Sequence, residues 1–130
     1  MLRRLKIAMV TAVTATLLGC GDGSEGGGSF DIPTYYYGSI AVNLVSGAAG
    51  IASNYTSQSS ANSNALKTCG SGCVTVLEFG NNQCGALASS ALTFGWASNT
   101  NQGKAEGNAV SQCVANNGKL CVVSLSQCNG

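Results

Sequence analysis

Hydrophobic and polar positions follow the same order twice between residues 37 and 129. A short apolar stretch, "YGSIAV" from Tyr37, is followed by a second that ends in Ala-Ser-Asn, by a polar stretch with apolar residues at helical spacing, and by "CVTVLE" from Cys73. The series begins again with "CGALA" at Cys84 and ends with "CVVSLS" at Cys121. This order predicts strand, strand, helix and strand in each copy.

The two copies align residue by residue around each predicted helix. "GIASNYTSQSSANSNALKTC" from Gly50 matches "GWASNTNQGKAEGNAVSQC" from Gly95, and only Tyr55 has no counterpart. Apolar residues recur at i, i+4, i+5 and i+8, which is one face of a helix. They are Ala61, Ala65, Leu66 and Cys69 in the first copy, and Ala105, Ala109, Val110 and Cys113 in the second. Small alanines on this face predict close packing of helix on sheet.

These patterns predict an α+β domain built from two ββαβ pseudo-repeats, at about residues 37–82 and 84–129. We expect about six strands in a sheet with two helices packed on it. Ser57 or Thr56, and Asn101 or Thr100 in the second copy, are placed to cap the first turn of each helix.

The start of the chain differs from the repeats in character. Basic residues in the first six positions precede an apolar run from Ile7 to Leu18, which is shorter than the about 20 residues that span a bilayer. Leu17, Gly19 and Cys20 resemble the lipobox of bacterial lipoprotein signals. That resemblance implies cleavage before Cys20 and acylation of Cys20. The alternative is an ordinary secretory signal followed by a stray cysteine.

Residues 21–29 hold five glycines and no large side chain, which is the composition of a linker. We therefore predict a signal peptide over residues 1–19, a lipidated cysteine and Gly-rich tether over residues 20–34, and a single disulfide-rich domain over residues 35–130. The resemblance to lipoproteins implies attachment to a membrane of the bacterial cell envelope through the N-terminal lipid. Gly21 after the cysteine favours the outer membrane, facing the periplasm.

The charge balance excludes one class of partner. After residue 19, three lysines stand against five carboxylates and there is no arginine, a net charge of −2. Nucleic-acid binding depends on cationic groups that neutralise phosphates. We expect no nucleic-acid partner.

Six cysteines remain once Cys20 is set aside, an even number in an exported chain, which indicates three disulfides. A pairing that respects the repeat joins Cys69 to Cys73 and Cys113 to Cys121, and leaves Cys84 to join Cys128. The last pair would place the strands that carry it side by side. A zinc site is the alternative, but it favours paired short spacings and histidine, and histidine is absent from the chain.

Catalytic patterns are missing from the sequence. The lack of histidine excludes Ser-His and Cys-His nucleophile pairs. Two carboxylates lie within the repeats, and because Glu78 aligns with Ser126 and Glu106 with Asn62, each is interpreted as an individual surface residue. We expect no catalytic residue, no metal and no cofactor.

The aromatic residues are the candidates for recognition. Trp96 aligns with Ile51 and is predicted to belong to the core. Three consecutive tyrosines on an extended chain cannot all face one side, so at least one of them is exposed. We take Tyr35, Tyr36 and the unmatched Tyr55 as candidate partner contacts, because exposed tyrosines are enriched at interfaces. A strand entry and a loop filler are the alternative interpretations.

From Tyr37 to Asn129 the chain resembles the bacterial family called domain of unknown function 4189. The resemblance is carried by "YGSIAV", the Gly-x-Ala-Ser-Asn turn into an alanine-rich helix that ends in cysteine, "CGALA", and the second copy. It implies a location and a scaffold, and it provides no catalytic residue to carry over to this chain. We expect a non-catalytic binding or inhibitory module, a class that includes immunity proteins, that meets a periplasmic protein or cell-wall partner. The alternatives are a structural envelope component without a specific partner and, third, a wall-acting enzyme.

Acylation of Cys20 can be tested directly. We expect labelled palmitate to enter the wild-type chain but not Cys20→Ser, and the wild type alone to partition with membranes, because the thioether needs the cysteine sulfur. Equal labelling of the two chains would contradict the anchor.

Overall fold

The structure, a computed structural model, describes residues 33–130, of which Thr34–Gly130 form a compact unit. The predicted signal peptide, Cys20 and most of the predicted tether lie outside the described residues. The elements in chain order are β1 (Tyr37–Val42), β2 (Ala49–Tyr55), α1 (Gln58–Cys69), β3 (Val74–Phe79), β4 (Cys84–Ser89), β5 (Phe94–Asn99), α2 (Gln102–Ala115) and β6 (Val122–Cys128). The ββαβ order therefore occurs twice, as predicted.

The α+β class with six strands and two helices is confirmed, and the strands are divided between two antiparallel sheets of three. The first sheet has the order β2-β1-β3 and the second β5-β4-β6. In each copy the first strand, β1 or β4, lies in the middle of its sheet and pairs with the other two strands of the same copy. The two sheets meet through their faces, where one hydrophobic cluster draws residues from both. They do not join edge to edge as one continuous sheet.

Three hydrophobic clusters show how the layers stack. Along β1, Ile40 and Val42 point into a cluster shared by both sheets, whereas Ala41 points to α1, as the alternation of a strand requires. The third cluster lies between the second sheet and α2. The domain is thus a sandwich in which the two sheets lie inside and the two helices lie outside. The half-buried Trp96 packs against the central cluster.

The helices begin at the residues whose side chains can cap them. Ser57 Oγ accepts a hydrogen bond from the Ser60 amide at 3.1 Å, and Asn101 Oδ1 accepts one from the Lys104 amide at 2.9 Å. Both caps have extended backbones, and each satisfies an amide that has no partner within the helix.

Each helix lies unusually close to its sheet at one glycine. A Cβ atom on Gly50 would lie 2.5 Å from the carbonyl oxygen of Ala65 and 2.6 Å from the amide nitrogen of Cys69. Gly95, its counterpart in the repeat, faces backbone atoms of Ala109 and Cys113 in the same way. The predicted close packing therefore requires glycine on the strand as well as alanine on the helix.

Residues 33–130 contain three disulfides, and they are the pairs that the repeat favours. Cys69–Cys73 and Cys113–Cys121 each tie the end of a helix to the strand that follows. Cys84–Cys128 joins residues that face each other on β4 and β6. Because the helix layers bury mainly methyl groups, these links add stability where hydrophobic burial is small.

The close contact at Gly95 can be tested with a matched glycine in the same copy. We expect Gly95→Ala to lower the free energy of unfolding by about 2 kcal/mol or more, because its methyl group meets helix backbone that cannot move aside. Gly107→Ala, within α2 and with no neighbouring atom within 4 Å, should raise it by about 0.5 to 1 kcal/mol. Urea unfolding without reductant measures both, and equal stability of Gly95→Ala and wild type would contradict the close packing.

Candidate functional site

The strands place chemically different surfaces at the two ends of the sandwich. The hairpin loops 43–48 and 90–93 lie at one end together with segments 70–73 and 116–121, and we call these four segments the loop end. Tyr35, Tyr36, Tyr37 and Tyr55 lie at the opposite end of the first sheet, which we call the tyrosine end.

The two hairpin loops of the loop end line a cleft of about 200 Å³. In the first loop, Asn43 Oδ1 accepts hydrogen bonds from the amides of Val45 and Ser46 at 2.9 and 3.0 Å. In the second, Ser90 Oγ accepts from the amides of Leu92 and Thr93 at 3.2 and 3.1 Å. Each loop is therefore held by its own first polar residue. The aliphatic side chains of the two loops take no part in these hydrogen bonds.

Exposed aliphatic side chains concentrate at this end. Val45 is 97% exposed and Leu120 is 93% exposed, and the Leu120 backbone has a φ of 57°, which is unfavourable for leucine. In the described part of the chain, the large hydrophobic residues that are exposed on or beside the loop end are Leu44, Val45, Val74, Leu92, Val114, Leu120, Val122 and Val123. Tyr35 is the exposed large hydrophobic residue at the other end. The sandwich thus has one apolar end.

Charged residues are also distributed unevenly. Lys67, in the last turn of α1, and Lys119, in segment 116–121, are exposed at or next to the loop end. Glu78 lies near the end of β3, and Glu106 and Lys104 lie in the first half of α2, all toward the tyrosine end. Within residues 33–130 the loop end is therefore cationic and apolar.

The two carboxylates of the repeats are not brought together. Glu78 accepts a hydrogen bond from Asn62 Nδ2 of α1 at 2.7 Å, whereas Glu106 lies on α2, on the other outer face of the sandwich. No group of His, Cys, Asp and Glu residues that could hold a metal ion occurs among residues 33–130. No helix in that part of the chain is long and apolar enough to cross a membrane.

The predicted tyrosine contacts share one end but differ in exposure. Tyr35 is 54% exposed, whereas Tyr36 and Tyr55 are half-buried. The Tyr36 amide donates to Asn81 Oδ1 at 2.9 Å, and Tyr55 packs against the cluster between the first sheet and α1. Whether these tyrosines contact a partner stays a prediction.

The unmatched residue of the repeat has a structural consequence. Tyr37 pairs with Tyr55 but Ser39 pairs with Ala52, so an extra residue of β2 is accommodated as a bulge, with Asn54 at a φ of 64°. The Asn54 amide donates to Asn129 Oδ1 at 2.8 Å.

Asn129 is buried and joins this bulge to the end of β3. Its Nδ2 donates to the carbonyl oxygens of Phe79 and Gly80 at 3.1 and 2.7 Å. The insertion therefore connects the two copies of the repeat at the tyrosine end.

Comparison with known proteins identifies the domain. The family described as "Domain of unknown function (DUF4189)" matches residues 37–128, which include both copies of the repeat. The chain belongs to this family. The NMR structure of Rv1813c from Mycobacterium tuberculosis is similar to this DUF4189 domain, with a TM-score of 0.56 and 24% identity over 85% of this chain and 96% of that one. At this identity the likeness concerns the fold alone. Comparison with the curated proteins gives no match.

The aliphatic residues of the loop end were missed in the sequence. Their signal is the occurrence of large apolar residues inside turn segments, as in "NLVSG" from Asn43, "SALTF" from Ser90 and "GKLC" from Gly118. Turn segments are usually polar, so these residues stand out once the strands on either side are assigned.

Proposed function

We propose that this DUF4189 domain is a non-catalytic binding module, attached to the bacterial envelope through lipidated Cys20, and that its loop end meets the binding partner. The observation that carries the proposal is the convergence of two equivalent hairpin loops, one from each copy, around a cleft with exposed Leu44, Val45 and Leu92. Exposed large apolar side chains gathered at one end of a small domain are typical of interaction sites.

The stability of the domain does not account for these side chains. The loops are held by Asn43 and Ser90, and the buried clusters draw on strand and helix residues. Exposing large aliphatic groups to water brings the folded state no benefit. The presence of these side chains at one end of the domain therefore supports a role in binding.

The tyrosine end supports binding less strongly. Only Tyr35 of the predicted contacts is exposed, and Tyr55 belongs to the bulge that joins the copies. We keep Tyr35, Tyr36 and Tyr55 as a second candidate surface for an inhibitory contact with a periplasmic protein or a wall component. A structural envelope role without a specific partner is the other class of function.

Site-specific photo-crosslinking distinguishes these surfaces. We would place benzoylphenylalanine at Val45, at Tyr35 or at the exposed Ser59 of α1 as a control, in the full chain expressed in a bacterial envelope. We expect Val45 to give a discrete adduct with either a protein or a lipid, because it is the most exposed aliphatic side chain of the loop end, and Ser59 to give none.

Each other outcome has a defined meaning. Crosslinking from Tyr35 but not from Val45 would move the binding surface to the tyrosine end. No adduct with protein or lipid from either position would contradict the binding module and favour the structural role. Release of fragments from purified cell wall by the chain from Ser29 onward would contradict the non-catalytic part.

A further inference from the structure

We propose that the loop end rests on the surface of a phospholipid bilayer that contains anionic lipids. This inference depends on the proposed function, because it names the partner of the same surface. It is carried by three observations: the type of side chain exposed, the distribution of charge, and the length of chain between Cys20 and the domain.

The side chains favour lipid over protein. In the described residues of the loop end, the exposed large hydrophobic residues are leucine and valine. Anchors of protein interfaces are enriched in tryptophan, tyrosine and arginine, and leucine and valine are under-represented among them. At the boundary between headgroups and acyl chains, binding grows with the apolar area that is buried and with attraction to anionic lipids. Aliphatic side chains can contribute there without a complementary partner surface.

The charges orient the domain in the same direction. Exposed Lys67 and Lys119 lie at or next to the apolar end. The tyrosine end carries two carboxylates, of Glu78 and Glu106, and one lysine, Lys104. An anionic surface therefore attracts the first end more strongly than the second. Apolar insertion and electrostatic attraction therefore act on the same end.

The chain length allows this orientation when Cys20 carries a lipid. Thr34 precedes β1 at the tyrosine end, and the fourteen residues 21–34 can span at most roughly 45 to 50 Å. A strand of six residues extends about 20 Å, so the length suffices to pass from the bilayer to the far end of the sandwich. Two weak attachments to one bilayer then reinforce each other.

Vesicle binding tests the inference without the lipid anchor. Residues 34–130 form a compact unit with three clusters and three disulfides, so the chain from Ser29 onward is suitable. We expect it to sediment with vesicles of phosphatidylglycerol and phosphatidylcholine, and weakly with phosphatidylcholine alone. The combined Leu44→Ser, Val45→Ser and Leu92→Ser chain should bind at least about tenfold more weakly.

Matched variants separate the two contributions. Tyr35→Ser, which replaces the exposed tyrosine at the other end, should bind to vesicles as the wild type does. Lys67→Gln with Lys119→Gln should lose about fivefold per lysine at low salt, and the loss should shrink as salt is added. Circular dichroism and urea unfolding verify that each variant is folded, and the lysine pair tests the inference even if the triple variant unfolds.

Three results would overturn the inference. The first is a wild-type chain that stays in the supernatant, and the second is vesicle binding that the loop substitutions do not change. The third is the formation of concentration-dependent dimers by every chain except the triple variant, which would assign the loop end to a second copy. Crosslinking of Val45 to a protein would support the binding module but contradict the bilayer as its partner.

Discussion

The rest of the structure depends on the contact of each helix with a glycine of its sheet. Because helix backbone lies against Gly50 and Gly95, the helix residues at these contacts must be small, and Ala65 and Ala109 meet that requirement. The two outer layers are therefore thin and bury little apolar area. Larger side chains must go between the sheets, and disulfides at Cys69 and Cys113 fix the helix ends that packing alone holds weakly.

The inner layer shows how a duplicated unit becomes one domain. The ring of Phe79 lies against Gly38 and Gly85, which are counterparts in the two copies. A second ring at the matching position would compete for the same space, and the residue there is Gln127, which accepts a hydrogen bond from Ser53 Oγ at 2.7 Å. The two copies therefore differ at this position because one aromatic ring serves both sheets, while its counterpart Gln127 forms a hydrogen bond between strands.

The features that could be predicted are those that depend on local spacing or on the repeat. Helix faces, the caps at Ser57 and Asn101, and the pairing of Cys84 with Cys128 belong to this group. The division into two sheets could not be predicted, because it depends on which sheet faces meet in the folded domain. The role of the Tyr55 insertion could not be predicted either, because it depends on Asn129, which lies 75 residues beyond Asn54 in the chain. Val45 and its neighbours stand out in the sequence as apolar residues within turns, but their exposure could not be predicted, because the sequence does not show whether another segment covers them.

The three buried clusters do not include the exposed aliphatic side chains of the loop end. Those side chains are therefore free to act at an interface. Amide hydrogen exchange of the chain from Ser29, with and without anionic vesicles, tests this claim most directly. We expect exchange to slow in segments 43–48, 90–93 and 116–121 and to stay unchanged at Tyr35–Tyr37 and in residues 55–57. Slowing at the tyrosine end alone, or no change anywhere under conditions of vesicle excess, would contradict the account.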